Sequence, residues 1–385
     1  MRIINLLNTN IRGPLLTESQ LEPVKPKQLQ ALLNSNLDNK FAEPVYLGEG
    51  INGALYKLTE STRNKPPTSA DGEYICKVIP YNPAYLKQLK KELGLLKTIQ
   101  LHPYIREFIN PCLGMFILSN QIVSIFPVFN GLTLDNVIAI VNKPDFTHSN
   151  RITLLKYIIL DILEALYFFH KQGVSHLQID GSSILIEMQP PKATNLMRER
   201  RSAKQPESFN DNSESSNSKV NPFVPTNSDI YIPEFTEADK PLRIKFTNFG
   251  TGCGKLIELD ETGNNARPFF QSCKTINYNA DPYISSFLAN PINKTGVLKT
   301  NSRQLALAKK YDIWLMGKLV LKLITKPGTD LTTPANINND TLLDESFKHY
   351  LGYLKKYMLC PLKTRRNSKF VQEMFILSDK HDNSN

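Results

Sequence analysis

The stretch Phe168-Phe169-His170-Lys171-Gln172-Gly173-Val174-Ser175-His176-Leu177-Gln178-Ile179-Asp180-Gly181-Ser182-Ser183-Ile184-Leu185-Ile186 decides the reading of this chain. It begins inside a strongly periodic helical segment, Ile152 to His170, whose Leu155, Ile158, Ile159, Ile162, Leu163, Leu166 and Phe169 share one face. A glycine turn, a polar loop and the apolar run Ile184 to Ile186 follow, and a mainly helical half of the chain starts here. Upstream the pattern is different. Two β-type runs between Val45 and Ile79 flank a glycine-bearing turn, Ala84 to Ile99 alternates apolar and charged residues at helical spacing, and an apolar strand pair follows at Leu113 to Leu118 and Ile122 to Val128.

The chain has 385 residues, 41% hydrophobic and 21% charged, which is a globular composition with room for one large domain or two coupled lobes. Its 25 prolines and many Asn and Ser suggest long irregular insertions. No run approaches the roughly 18 to 20 apolar residues of a membrane span, and Met1 to Leu16 lacks a basic-then-apolar leader pattern, so a cytoplasmic or nuclear protein without membrane contact is expected. Cys76, Cys112, Cys253, Cys273 and Cys360 lie far apart, with no CxxC pair or histidine at metal-ligand spacing, so reduced thiols and no metal site are expected. The net charge of +10 is spread along the sequence, densest at Arg198 to Lys204 within a polar segment, and no nucleic-acid partner is expected.

The first glycine-rich motif is Gly48-Glu49-Gly50-Ile51-Asn52-Gly53-Ala54-Leu55. A dinucleotide-binding fold would run from such glycines straight into a helix. Here Leu55 to Leu58 continues as a strand, and the next strand carries Tyr74-Ile75-Cys76-Lys77. This order resembles the small lobe of protein kinases, where the strand lysine holds nucleotide phosphates and pairs with a glutamate on the following helix. Lys77 and Glu92 stand in those places, and His102-Pro103-Tyr104-Ile105 resembles the segment that follows the helix.

The opening stretch is in turn similar to the kinase catalytic loop. On that resemblance Gln178 replaces the catalytic base, and an amide has no usable basicity near pH 7. Asp180 replaces the loop lysine and would put negative charge where a γ-phosphate would sit. Ser183 replaces the metal-ligating asparagine, and Ile244-Lys245-Phe246-Thr247-Asn248-Phe249-Gly250 ends in NFG where kinases have DFG, so Asn248 discards the charge that bridges Mg²⁺ to the phosphates. Ala280-Asp281-Pro282 resembles the APE element with its last two residues exchanged, Tyr311 to Gly317 matches the DxWxxG helix whose Asp312 would anchor the loop, and Arg366 would be the buried pairing arginine.

The resemblance implies an α+β, bilobal protein-kinase-like fold over residues 41–377, with a β-rich N-lobe at 41–130 and a helical C-lobe at 131–377. Around it lie an N-terminal extension at 1–40, a disordered insert at 189–241, a smaller insert at 285–309 and a tail at 378–385. Gly48, Gly50, Gly53, Leu55, Lys77, Glu92 and the Phe129 amide would serve a nucleotide, while Ile75 and Phe126 crowd the adenine slot. No catalytic residue is intact at Gln178, Asp180, Ser183 and Asn248. The expectation is a catalytically impaired pseudokinase acting as a scaffold or allosteric regulator of a protein partner, an active kinase being one candidate. Weak, metal-independent ATP binding stays open, Mg²⁺ is not expected, and the alternative is a divergent Ser/Thr kinase of low activity.

Overall fold

The computed structural model describes residues 25–36, 41–50, 53–61, 73–80, 92, 95–96, 99, 106–118, 121–129, 131–143, 148–188, 242–249, 252–259, 266–271, 280–331 and 337–382. A five-stranded antiparallel sheet opens the chain: β1 (Val45–Gly50), β2 (Gly53–Thr59), β3 (Glu73–Pro80), β4 (Gly114–Leu118) and β5 (Gln121–Pro127), in spatial order β1-β2-β3-β5-β4. Alternation along the strands sorts side chains between two faces. Tyr56, Leu58, Cys76, Val78, Val123 and Ile125 build a small core with Leu29 and Leu33 of helix α1 (Pro26–Asn36) and with Phe41. The described part of the N-terminal extension is therefore packed on the sheet. Asn34 fixes it further, its side-chain oxygen accepting from the Phe41 amide at 2.7 Å.

The other face of the sheet carries Lys77, directly opposite Ser124 of β5 and Leu55 of β2. Residues 92, 95, 96 and 99 are helical, and Leu95, Leu96 and Ile99 join the main core. That core belongs to a helical half built from α2 (Leu134–Val141), α3 (His148–Lys171), α4 (Pro282–Ala289), α5 (Pro291–Leu298), α6 (Asn301–Ile324), α7 (Lys348–Tyr353) and α8 (Ser368–Asp382). Two small sheets brace it, one of β6 (Leu132–Thr133), β8 (Ile184–Met188) and β9 (Leu242–Phe246), the other of β7 (Val174–Ser175), β10 (Cys253–Leu259) and β11 (Ala266–Gln271). The element order is that of an α+β, bilobal protein-kinase-like fold. Met188 pairs with Leu242, so β8 and β9 flank residues 189–241, which lie outside the described residues.

Three local expectations change. The segment 285–309 falls on α4, α5 and the start of α6, which begins at Asn301 rather than Tyr311. Each of these helices has a side-chain cap, from Asp281, Asn290 and Thr300, and the first two carry proline in their first turn. Helix α8 runs on to Asp382, past the expected end of the domain at 377. Cys253 is disulfide-bonded, with a partner outside the described residues, whereas Cys76, Cys112 and Cys360 are thiols. Distance along the chain was a poor guide to pairing, because the β10–β11 hairpin returns the chain beside Cys253. No helix among the described residues is long and apolar enough to cross a membrane.

Candidate functional site

The β1–β2 turn is built from glycines for two different reasons. Gly48 has φ +139°, a value that L side chains rarely adopt, and sits where the β1–β2 register shifts. Gly53 lies under β3 so closely that a Cβ would come 2.4 Å from the Val78 carbonyl oxygen. Gly50 pairs with Gly53 to close the hairpin, and residues 51 and 52 lie outside the described residues.

Lys77 and Glu92 come together below this hairpin and act on each other's ionisation. Burial pulls the Lys77 ammonium below its ordinary range and pushes the Glu92 carboxyl up, while their mutual attraction opposes both shifts. Glu92 also accepts a hydrogen bond from the Phe249 amide. One carboxylate thus connects β3 to the residue after Asn248. Ile75 and Phe126 are direct cross-strand partners on the Lys77 face, and neither is sealed from solvent. Phe129 buries its ring beneath the Lys245 ammonium, 5.6 Å from the ring centroid. Its carbonyl accepts from the Gly131 amide at 3.0 Å.

The loop after β7 is organised by Asp312. This fully buried carboxylate accepts from Ser175 Oγ at 2.6 Å, the His176 amide at 2.8 Å and the Leu177 amide at 2.7 Å, and it meets His170 Nε2 at 3.1 Å. Burial alone would raise its pKa, but these partners hold it below the usual carboxylate value. Leu177 sits at φ +67°, a left-handed conformation that costs an apolar L residue roughly 1 to 2 kcal/mol. The charged acceptor for its amide offsets that cost. His176 donates from Nε2 to the Thr247 carbonyl at 2.8 Å and accepts from the Gln178 amide at Nδ1, 3.2 Å away. Its ring lies 4.4 Å from that of Phe249, which is fully buried against Phe169.

Asp180 spends its carboxylate locally. Its Oδ1 accepts from the Ser182 amide at 3.0 Å, Ser182 Oγ at 2.6 Å and the Ser183 amide at 2.8 Å, so this oxygen is held by the loop's own donors. Ser183 Oγ donates to the carbonyls of Gln178 and Asp180, at 2.8 and 2.9 Å. Gly181 admits Asp135, whose Oδ1 would lie 2.1 Å from an added Cβ; that carboxylate also pairs with Lys322 at 2.7 Å. Asn248 adopts φ +62°, which its short polar side chain tolerates better than most residues do. The Thr247 amide bonds the Ser183 carbonyl at 2.9 Å and so ties the loop to the strand before Asn248.

No group of three or more His, Cys, Asp or Glu able to hold a metal occurs among the described residues, and Ser183 Oγ and Asp180 Oδ1 bond within the loop. Sequence reasoning missed Ser175 as an Asp312 partner, the left-handed Leu177 and the Asp135 contact, and placed the buried arginine one residue late. Arg365 is the one that pairs with Asp281, through Nη1–Oδ2 at 2.5 Å, both side chains fully buried. Arg366 lies outside over the Phe370 ring.

Burial also holds His170 and His176 below the ordinary histidine range. A base with a depressed folded-state pKa contributes stability that is present above its unfolded pKa of about 6.5 and lost as pH falls. The raised Glu92 carboxyl works in the opposite direction, one group against two. Denaturant titrations should therefore give an unfolding free energy about 1 to 2 kcal/mol lower near pH 5 than near pH 7. A rise in stability over that interval would contradict these assignments.

No family model matches the sequence, and no curated protein matches it. Among solved structures the chain is similar to a twitchin kinase fragment from C. elegans, described as an autoregulated protein kinase and immunoglobulin domains, at 14% identity and a TM-score of 0.49. The match covers 90% of this chain and 59% of that one, so this chain spans less than two thirds of the other's length.

Proposed function

We propose that this chain is a pseudokinase: a kinase-like scaffold that engages a protein partner and does not transfer phosphate. The observation that carries this reading is the state of Asp180, the one acid in the loop, whose Oδ1 is turned onto the donors of Ser182 and Ser183 within the loop. Gln178 and Asn248 are amides, and Ser183 is turned into the loop. Meanwhile Asp312 holds the loop in a defined shape, and Glu92 joins Lys77 to the Phe249 backbone. Support for a binding role therefore comes from a fixed frame without transfer chemistry. A partner would be regulated by tighter contact in one of its states than in another.

The same frame leaves a place for weak nucleotide binding through Lys77, with no step that needs a metal. Thermal denaturation with ATP, with and without Mg²⁺, tests this. We expect a rise of about 2 to 4 °C for each kcal/mol of binding free energy, of the same size in either condition. A rise that requires Mg²⁺ would overturn the metal-independent reading, and no rise would mean that Ile75 and Phe126 close the slot.

A further inference from the structure

We propose that the surface shared by the Leu354–Met358 turn, the loop after it and the start of α8 docks an acidic peptide segment of a protein partner. None of these residues belongs to the site described above. The turn is a π-helix, closed by the Leu359 amide on the Leu354 carbonyl at 2.7 Å, and such wide turns are rare and often sit at functional positions. It presents Lys356, whose ammonium lies 5.1 Å from the Tyr357 ring centroid. Tyr357 in turn packs edge-on against Phe370, ring centroids 5.0 Å apart, and the Arg366 guanidinium covers Phe370 at 5.1 Å. Two cations are thereby held on one joined pair of rings, and exposed Lys363 stands in the intervening loop.

Lys356, Lys363 and Arg366 are exposed, and among the described residues their side chains make no hydrogen bond or ion pair, while the Arg366 amide donates to the Tyr357 carbonyl at 3.1 Å. Beside them Lys369 meets Glu373 at 3.7 Å. Lys310 adds positive charge beneath the loop, held by the carbonyls of Leu362 at 2.8 Å and Arg365 at 2.6 Å. The result is a preformed cationic surface with little internal neutralisation. Stacking on Phe370 reduces the freedom of Arg366 yet leaves its edge donors available, the arrangement that suits bidentate recognition of carboxylate. A nucleic acid would ask for open aromatic faces on which to stack bases. Here a cation already lies over each ring, which favours peptide carboxylates.

The test uses the full chain and fluorescence anisotropy with a fluorescein-labelled peptide of alternating Glu and Gly, at about 0.15 M salt. Saturable binding is expected. Lys356→Glu combined with Arg366→Glu should weaken it about tenfold or more, whereas Lys143→Glu combined with Lys299→Glu, an equal charge change at other exposed positions, should weaken it less than about twofold. Arg366→Lys keeps the charge but removes the planar fork, and should weaken binding about threefold. All four altered side chains are exposed, so circular dichroism should match that of the parent and melting temperatures should stay within about 5 °C of it. The proposal is overturned by an absence of saturable peptide binding, by equal losses in the two double variants, or by tighter binding of a single-stranded oligoribonucleotide or phosphatidylserine vesicles than of the peptide.

Discussion

Asp312→Ala is expected to lower the unfolding free energy by about 4 kcal/mol, a large part of the roughly 5 to 15 kcal/mol that holds a typical domain together. The substitution leaves the buried amides of His176 and Leu177, the Ser175 hydroxyl and the His170 ring without their acceptor. It also frees Leu177 to leave its left-handed conformation, so the loop from Gln178 to Ser183 should lose its shape together with stability. Asp312→Asn retains one acceptor oxygen but turns an amide NH₂ toward donors, and should cost about half as much. Guanidinium denaturation measures both. A loss below about 1 kcal/mol for Asp312→Ala would show that the loop does not depend on this carboxylate.

Arg365→Ala should cost about 3 to 5 kcal/mol, because it strands Asp281 as an uncompensated charge in a fully buried position. The Arg365 guanidinium also donates to the carbonyls of Lys310 and Cys360, both at 3.0 Å, so the same change loosens the loop before α8 from α6 and from the end of the π-turn. Arg366→Ala, one residue on, removes an exposed cation from the Phe370 ring and should cost no more than about 1 kcal/mol. Asp281→Asn combined with Arg365→Met should recover much of the loss, since it removes the buried charges together. Equal effects of the two single arginine substitutions would contradict the register described here.

This pair of arginines also marks the edge of what the sequence discloses. Two adjacent identical residues differ only in which way the backbone turns them, and nothing in Thr364-Arg365-Arg366-Asn367 says which one is buried. The frame was legible because it is written in spacing: glycines between two β-type runs, Lys77 on the next strand, the apolar face of α3, and Tyr311 to Gly317 on α6. The site was legible in composition more than in geometry. That Gln178, Ser183 and Asn248 lack charge is a matter of residue type. That Asp180 folds its charge back onto Ser182 and Ser183 depends on backbone direction, although the Asp-Gly-Ser-Ser string is the sort of sequence that forms such local bonds. Leu177 gives no sign of its left-handed conformation, because the force that imposes it is Asp312, far away in sequence. The cations Lys356, Lys363 and Arg366 stand close together in the sequence, in a run from Lys355 to Lys369 without an acid, but that Tyr357 packs on Phe370 and holds two of them on joined rings is seen only in the fold.

The central claim, that the frame persists without transfer chemistry, is tested most directly by incorporation of label from γ-labelled ATP into the purified protein and a generic Ser/Thr substrate, in Mg²⁺ and in Mn²⁺, beside Lys77→Met. The account predicts no incorporation above that of Lys77→Met in either metal. Incorporation that Lys77→Met abolishes would contradict it and establish a kinase that works without the usual acids.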